Sequence, residues 1–193
     1  RARSLGGMTT STRQPAILPR AGVVFGAGVM GRQIAALLVN AGLKVHLLDL
    51  GTAEDPASLA RQAMVDLPGM RPAPLFRSTD TQNIQPGALH DAGRALACAE
   101  WVIEAVVEDL TIKRSVLDLI EAQVHPDAVV STNTSGLPIA SLCEGRSDSF
   151  CRRFLGVHFF NPPRAMPLVE VIPGEATDPQ IVESCRDWVE SGL

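Results

Sequence analysis

The chain alternates between short unbroken apolar runs and longer stretches in which apolar residues recur at helical spacing. Unbroken runs lie at 23–25, 45–48, 101–107, 128–131, 154–160 and 168–172. Helical spacing lies at 29–41, 57–67, 88–99, 109–124 and 179–191. Runs of the first kind are typical of strands that are covered on both faces. Because strands and helices alternate, the pattern predicts an α/β fold with a doubly wound, mostly parallel sheet and one late antiparallel pair.

Two segments carry neither pattern. Prolines interrupt the region after the second helical stretch, at Pro68, Pro72, Pro74 and Pro86, and this region is predicted to be irregular. Residues 1–19 hold scattered polar residues, which predicts a flexible tail before a domain at 20–193. An Arg-rich start without acidic residues is also typical of an organelle transit peptide, but no amphipathic helix supports that alternative. The chain starts with Arg1, and Met8 is a second possible start.

Composition excludes several classes of protein. Apolar residues make up 46% and charged residues 20% of the chain, which is typical of a globular protein. The formal net charge of -4 argues against a nucleic-acid partner. No apolar run approaches the roughly 18 residues that cross a bilayer, so no membrane partner is expected. The four cysteines are scattered and form no C-x-x-C pair, which favours reduced thiols, a cytoplasmic location and no metal site.

A glycine pattern follows the first apolar run. Gly26, Gly28 and Gly31 form G-x-G-x-x-G between a strand and a helix, and Asp49 closes the next strand 18 residues further on. This arrangement is typical of dinucleotide binding, with the phosphates at the helix N-terminus and the acid on the ribose. No arginine follows Asp49 at 50–52, which favours NAD over NADP. The alternative is a glycine-rich turn without a ligand.

Polar residues near strand ends are candidates for chemistry, because ligands of open α/β sheets bind beyond the carboxyl ends of the strands. Glu108, Ser135, His158 and Asn161 have such positions. Glu170 lies inside an apolar run, where a carboxylate needs a partner or must stay neutral. If the last two strands pair, the acid and the imidazole of His158 could meet, and the acid would raise the basicity of the base.

Each candidate has a structural alternative. His158 could be a satisfied core residue, and Glu170 could face solvent on an edge strand. Ser135 could cap a helix, and Glu108 and Lys113 could be exposed residues at the start of a helix. The residues themselves leave these alternatives open.

Longer segments carry a similarity to a known family. The chain resembles the NAD-binding domain of the L-3-hydroxyacyl-CoA dehydrogenases, which oxidise the 3-hydroxyl group of acyl-CoA in fatty-acid β-oxidation. The matching segments are GAGVMG at 26–31, WVIEAVVEDLTIK at 101–113, STNTSGLPI at 131–139, GVHFFNPP at 156–163 and MPLVEVIP at 166–173. RPAPLF at 71–76 is most similar to the longer bacterial members. The resemblance covers about 20–193 and implies a Rossmann-type fold.

The resemblance also implies roles for individual residues. His158 matches the catalytic base, Glu170 its acid partner, and Ser135 a catalytic serine that contacts the substrate oxygen near the nicotinamide. The positions that match cofactor contacts are Gly26, Gly28, Val29, Met30, Gly31, Asp49, Glu108, Lys113, Ser135 and Asn161. The implied cofactor is NAD, and the implied substrate is an acyl-CoA.

Members of this family continue into an all-helical second domain that contributes to the acyl pocket and the dimer contacts, and this chain stops at Leu193. We therefore expect a truncated chain that binds NAD but has little activity alone, and a homodimer for the full-length protein. One alternative is a non-catalytic, crystallin-like relative, which His158 and Glu170 argue against. Another is a different β-hydroxyacid NAD(P) dehydrogenase with a lysine base, which the segment 156–163 argues against.

Overall fold

A seven-stranded sheet forms the centre of the molecule, as seen in a computed structural model that describes residues 19–193. The strands are Ala21–Phe25 (β1), Lys44–Asp49 (β2), Ile84–Ala88 (β3), Trp101–Glu104 (β4), Val129–Thr132 (β5), Phe154–Phe159 (β6) and Val169–Pro173 (β7). Their order is β3-β2-β1-β4-β5-β6-β7. All neighbours pair in parallel except β6 and β7, which are antiparallel. The predicted doubly wound, Rossmann-type sheet is therefore confirmed.

Seven helices connect and flank the strands in the described part of the chain. They are Val29–Asn40 (α1), Ser58–Asp66 (α2), Ala92–Ala97 (α3), Leu110–Gln123 (α4), Ile139–Cys143 (α5), Asp148–Cys151 (α6) and Pro179–Gly192 (α7). Short 3₁₀ turns lie at Leu67–Gly69, Ser78–Asn83 and Leu89–Asp91. The Asp109 side chain caps α4 by accepting a hydrogen bond from the Ile112 N–H. Among residues 19–193, no helix is both long and apolar enough to cross a membrane.

The helices bury both faces of the sheet. One hydrophobic cluster joins the sheet to α1, α2 and α7, through side chains that include Ile34, Ala63 and Cys185. The other joins the opposite face to α3, α4, α5 and α6, through side chains that include Leu117 and Phe150. Because both faces of the sheet are covered, apolar residues predominate on both sides of the central strands, which explains the apolar runs in the sequence.

The structure corrects the prediction for the proline-rich region. Pro86, which was placed in an irregular segment, lies inside β3 and pairs in register with Leu47. Proline lacks the N–H that a central strand needs, but β3 is at the edge of the sheet, where one side of the strand has no neighbour. The tail predicted for 1–19 lies, apart from Pro19, outside the described residues.

Other boundaries differ from the pattern as well. The fourth strand ends at Glu104 instead of residue 107, and the helix predicted at 88–99 is a 3₁₀ turn followed by the shorter α3. The helices α5 and α6 were not predicted, because five and four residues are too few to show helical periodicity.

Candidate functional site

The glycine turn between β1 and α1 is shaped by close backbone contacts. Gly26 has a φ of 100°, and a Cβ there would lie 2.5 Å from the Ala105 carbonyl oxygen. A Cβ on Gly31 would lie 1.7 Å from the Gly26 carbonyl oxygen. A Cβ on Gly28 would meet nothing within 4 Å. Two glycines are thus required by packing, whereas the third leaves open space at the N-terminus of α1, where a diphosphate can approach the backbone.

Asp49 ends β2 beside this turn. Its Oδ2 accepts a hydrogen bond from the Ala27 N–H, and its Oδ1 accepts one from the Leu50 N–H at 2.6 Å. These bonds hold the carboxylate next to the glycine turn, where it can accept hydrogen bonds from ribose hydroxyls.

A cleft of about 810 Å³ opens at the carboxyl ends of the strands. It brings together nine of the predicted site residues, namely Gly26, Gly28, Val29, Met30, Asp49, Glu108, Ser135, His158 and Asn161. Gly31, Lys113 and Glu170 do not line it. Several exposed apolar side chains also line the cleft, and they suit the flat faces of a base: Leu50, Leu59, Val107 and Ile112.

His158 and Glu170 face each other across the antiparallel pair β6 and β7. They are in direct register, and Nδ1 of His158 lies 2.9 Å from Oε2 of Glu170. An ionised carboxylate can only accept, so the ring donates from Nδ1 and its Nε2 is left as the basic nitrogen. The His158 side chain is 16% exposed and lines the cleft, whereas the Glu170 side chain is 50% exposed. Glu170, on the edge strand β7, therefore faces solvent but also has a partner, and the catalytic role of the pair stays a prediction.

Glu108 organises the loop that follows β5. Its Oε1 accepts hydrogen bonds from the Thr134 hydroxyl, from the Ser135 N–H at 3.0 Å and from the Gly136 N–H at 3.1 Å. Burial opposes ionisation of Glu108, but these hydrogen bonds and the charge of Lys113 lower its pKa. The cap proposed as an alternative role for Ser135 is wrong, because Pro138 is the residue that precedes α5.

Lys113 is buried below this loop, so its alternative as an exposed residue is wrong. Its side chain is 1% exposed, and its Nζ lies 2.8 and 3.0 Å from the two carboxylate oxygens of Glu104. The same Nζ lies 3.3 Å from Oε2 of Glu108. Lys113 therefore reaches the cleft through Glu108, and its direct contact with a cofactor stays a prediction.

Three polar residues of the site were not predicted. Glu104 is fully buried and also accepts hydrogen bonds from the Thr132 hydroxyl and the Val106 N–H. Glu104 could have been found from the sequence, because it lies inside an apolar run as Glu170 does. Asn133 lines the cleft and follows a strand end, as the predicted polar residues do. Gln33 donates to Oδ1 of Asn161 at 3.0 Å, and nothing in the sequence distinguishes it from other polar residues of α1.

The fold and the cleft define a dinucleotide-binding domain. A family model described as "3-hydroxyacyl-CoA dehydrogenase, NAD binding domain" matches residues 21–192. The chain therefore belongs to this family, and its cofactor is NAD.

Relatives agree with this assignment. The chain is 42% identical over 190 residues to a probable 3-hydroxyacyl-CoA dehydrogenase of Bacillus subtilis, covering 90% of this chain and 24% of that protein. It is 42% identical over 172 residues to a probable 3-hydroxyacyl-CoA dehydrogenase of Deinococcus radiodurans, covering 88% and 50%. The crystal structure of 3-hydroxybutyryl-CoA dehydrogenase from Escherichia coli K12 superposes with a TM-score of 0.78 at 28% identity, over 91% of this chain and 37% of that one. The chain thus spans from about a quarter to a half of these relatives' lengths.

Proposed function

We propose that this chain contributes the cofactor site and the catalytic base of an enzyme that oxidises L-3-hydroxyacyl-CoA to 3-oxoacyl-CoA in fatty-acid β-oxidation. The observation that carries the proposal is the His158–Glu170 pair, which places a basic ring nitrogen in the same cleft as the glycine turn. Oxidation of an alcohol needs such a base, because the hydroxyl proton must leave as hydride is removed.

The residues present fit NAD. Open space over Gly28 and the N-terminus of α1, which no side chain caps, suit the diphosphate, and Asp49 suits the adenosine ribose. Asn161 and Glu108 are the proposed contacts on the nicotinamide side. When bound, NAD supplies the acceptor for the hydride from C3 of the substrate.

Proton transfer is assigned to His158. Its Nε2 takes the proton of the 3-hydroxyl group, and Glu170 holds Nδ1–H and stabilises the imidazolium that forms. Ser135 lines the same cleft and is proposed to orient the substrate oxygen. Its backbone is fixed for this task by the hydrogen bond from its N–H to Glu108.

His158→Gln tests the role of the base. The glutamine keeps a polar side chain of similar reach but cannot take up the proton. In a polypeptide that contains this chain and turns over acetoacetyl-CoA, we expect kcat to fall by about a hundred- to ten-thousandfold, with NADH affinity unchanged. The measurement is steady-state oxidation of NADH at 340 nm, with NADH binding followed by fluorescence.

His125→Gln is the matched control, because His125 is half-exposed and does not line the cleft. It should leave kcat and NADH affinity unchanged. Wild-type turnover in the His158→Gln variant would reject His158 as the base and favour a non-catalytic, crystallin-like relative.

Activity of the isolated chain and assembly of the whole protein are further proposals. Since the relatives are two to four times as long as the matched region, we propose that this chain alone binds NAD but turns over acyl-CoA slowly. We propose a homodimer for the complete protein, with contacts outside the matched region. The four free thiols support a reducing compartment such as the cytoplasm.

A further inference from the structure

Arg32 has an unusual position in the cleft. It follows the third glycine of the turn directly, and it is the one arginine or lysine among the described residues that line the cleft. Its Nε donates to the Gly28 carbonyl oxygen at 3.2 Å, so the side chain folds back towards the start of α1. The side chain is only 19% exposed.

Asp66, at the end of α2, holds this guanidinium. Its Oδ2 accepts a hydrogen bond from Nη1 of Arg32 at 2.6 Å, and its Oδ1 accepts one from Nε2 of Gln62 at 2.8 Å. The hydrogen bond from Gln62, followed by the hydrogen bond and charge of Arg32, lowers the pKa of Asp66. Asp66 is therefore ionised at neutral pH and neutralises Arg32.

This pairing matters for the choice of cofactor. A 2′-phosphate on the adenosine ribose would bring about two more negative charges to the end of the cleft near Asp49. An unpaired arginine in the same cleft would attract such a phosphate through charge-assisted hydrogen bonds. With Asp66 ionised, the three side chains Arg32, Asp49 and Asp66 carry a net negative charge instead.

We propose that Asp66 is a specificity-determining residue that disfavours 2′-phosphorylated dinucleotides by keeping Arg32 occupied. Asp49 provides the acceptor for ribose hydroxyls, and Asp66 occupies Arg32, the one arginine or lysine that lines the cleft within residues 19–193. The inference rests on the NAD site of the proposed function, in which Asp66 would be a second acid, beside Asp49, that favours NAD over NADP.

The test is a comparison of NADH and NADPH binding to the purified chain by fluorescence titration at fixed ionic strength. Asp66→Asn keeps the shape and the hydrogen bond to Gln62 but removes the charge. We expect the dissociation constant for NADPH to fall about tenfold, because a freed arginine gains a charged partner. The constant for NADH should change by less than about threefold. Arg32→Gln combined with Asp66→Asn should abolish the gain for NADPH.

Asp118→Asn is the matched control, because Asp118 lies on α4, outside the cleft, and its carboxylate pairs with Arg146. It should leave the ratio of the two constants unchanged. The inference is wrong if Asp66→Asn leaves that ratio unchanged or shifts both constants equally. It is also wrong if Arg32→Gln alone weakens NADH and NADPH equally, since Arg32 would then bind the diphosphate. Failure of the wild type to bind NADH would overturn the cofactor site as well, so the two failures are distinguishable.

Discussion

The glycines of the turn have different surroundings, so substitutions at single residues can separate folding from cofactor binding. Gly28→Ala adds a methyl group to open space at a φ of -64°, which any residue adopts. We expect the free energy of unfolding to change by less than about 0.5 kcal/mol, while NADH affinity falls at least about tenfold because the methyl group occupies the approach of the diphosphate.

Gly31→Ala is the contrasting variant. Its methyl group would lie 1.7 Å from the Gly26 carbonyl oxygen, so helix α1 must move away from the sheet. We expect a loss of stability of several kcal/mol, typical of overpacking at a buried site. Urea denaturation of both variants measures the change in stability, and NADH titration measures the change in affinity. Equal stability of the two variants would contradict the assigned contacts.

The lowered pKa of Glu108 makes a prediction about acid stability. A carboxyl whose pKa is lower in the folded chain stabilises the fold above its unfolded pKa, near 4.5, and loses this effect as pH falls through its folded pKa. We therefore expect wild type to be more stable than Glu108→Gln at neutral pH, with the difference shrinking below about pH 4.5. Urea unfolding of both proteins between pH 7 and pH 3.5 measures it. A difference that is independent of pH would contradict the assignment.

At the residue scale, the sequence singles out side chains that are out of place in their surroundings. Glu170 and His158 were singled out as polar residues in apolar runs, and the register of β6 and β7 joins them. The same signal marks Glu104, whose partner Lys113 lies nine residues further along the chain, on the next helix. Gln33 could not have been found, because its contact with Asn161 depends on how α1 sits beside the loop after β6.

At the scale of elements, a buried ion pair ties β4 to α4. Glu104 and Lys113 are 0% and 1% exposed, and Thr132 of β5 adds a hydrogen bond to the same carboxylate. Lys113→Met leaves the carboxylate buried without its cation. We expect the free energy of unfolding to fall by about 3–5 kcal/mol, because an uncompensated buried charge is strongly unfavourable. Urea denaturation of the purified chain measures this loss.

Arg186→Met provides the comparison for the buried pair. Arg186 pairs with Glu183 at 3.0 Å on α7, where both side chains are half-exposed, so its loss should cost less than about 1 kcal/mol. Replacing both partners of the buried pair, as Glu104→Leu with Lys113→Met, should recover part of the stability lost in Lys113→Met. A double variant less stable than Lys113→Met would show that the carboxylate is satisfied without the lysine.

Elements were predictable in proportion to their length and burial. The helices α1, α4 and α7 have at least 12 residues each and were found within one or two residues of their ends. Strand β3 was missed because Pro86 signals a break, and only the strand order reveals that an edge tolerates it. The short helices α5 and α6 depend on packing against β6 rather than on a local pattern.

At the scale of the molecule, the alternation of strands and helices was enough to predict the doubly wound topology, because parallel neighbours need helical crossovers. That topology explains why residues as distant as Gly26 and His158 share one cleft: the ends of parallel strands meet at one edge of the sheet. The sequence pattern does not predict the contacts beneath the cleft, where Lys113 of α4 joins Glu104 of β4 to Glu108 in the loop between them.

The isolated chain can separate cofactor binding from turnover, because the two require different parts of the protein. Binding of NADH needs the cleft that these residues already form. Fast hydride transfer also needs the acyl-CoA to be held, and remote binding energy places the reacting carbon near the base. We expect the purified chain to bind NADH but to reduce acetoacetyl-CoA at least about a hundredfold more slowly than a longer relative assayed alongside. His158→Gln should abolish the residual rate. Turnover by the wild-type chain as fast as that of the relative would contradict the proposal that this chain alone is slow.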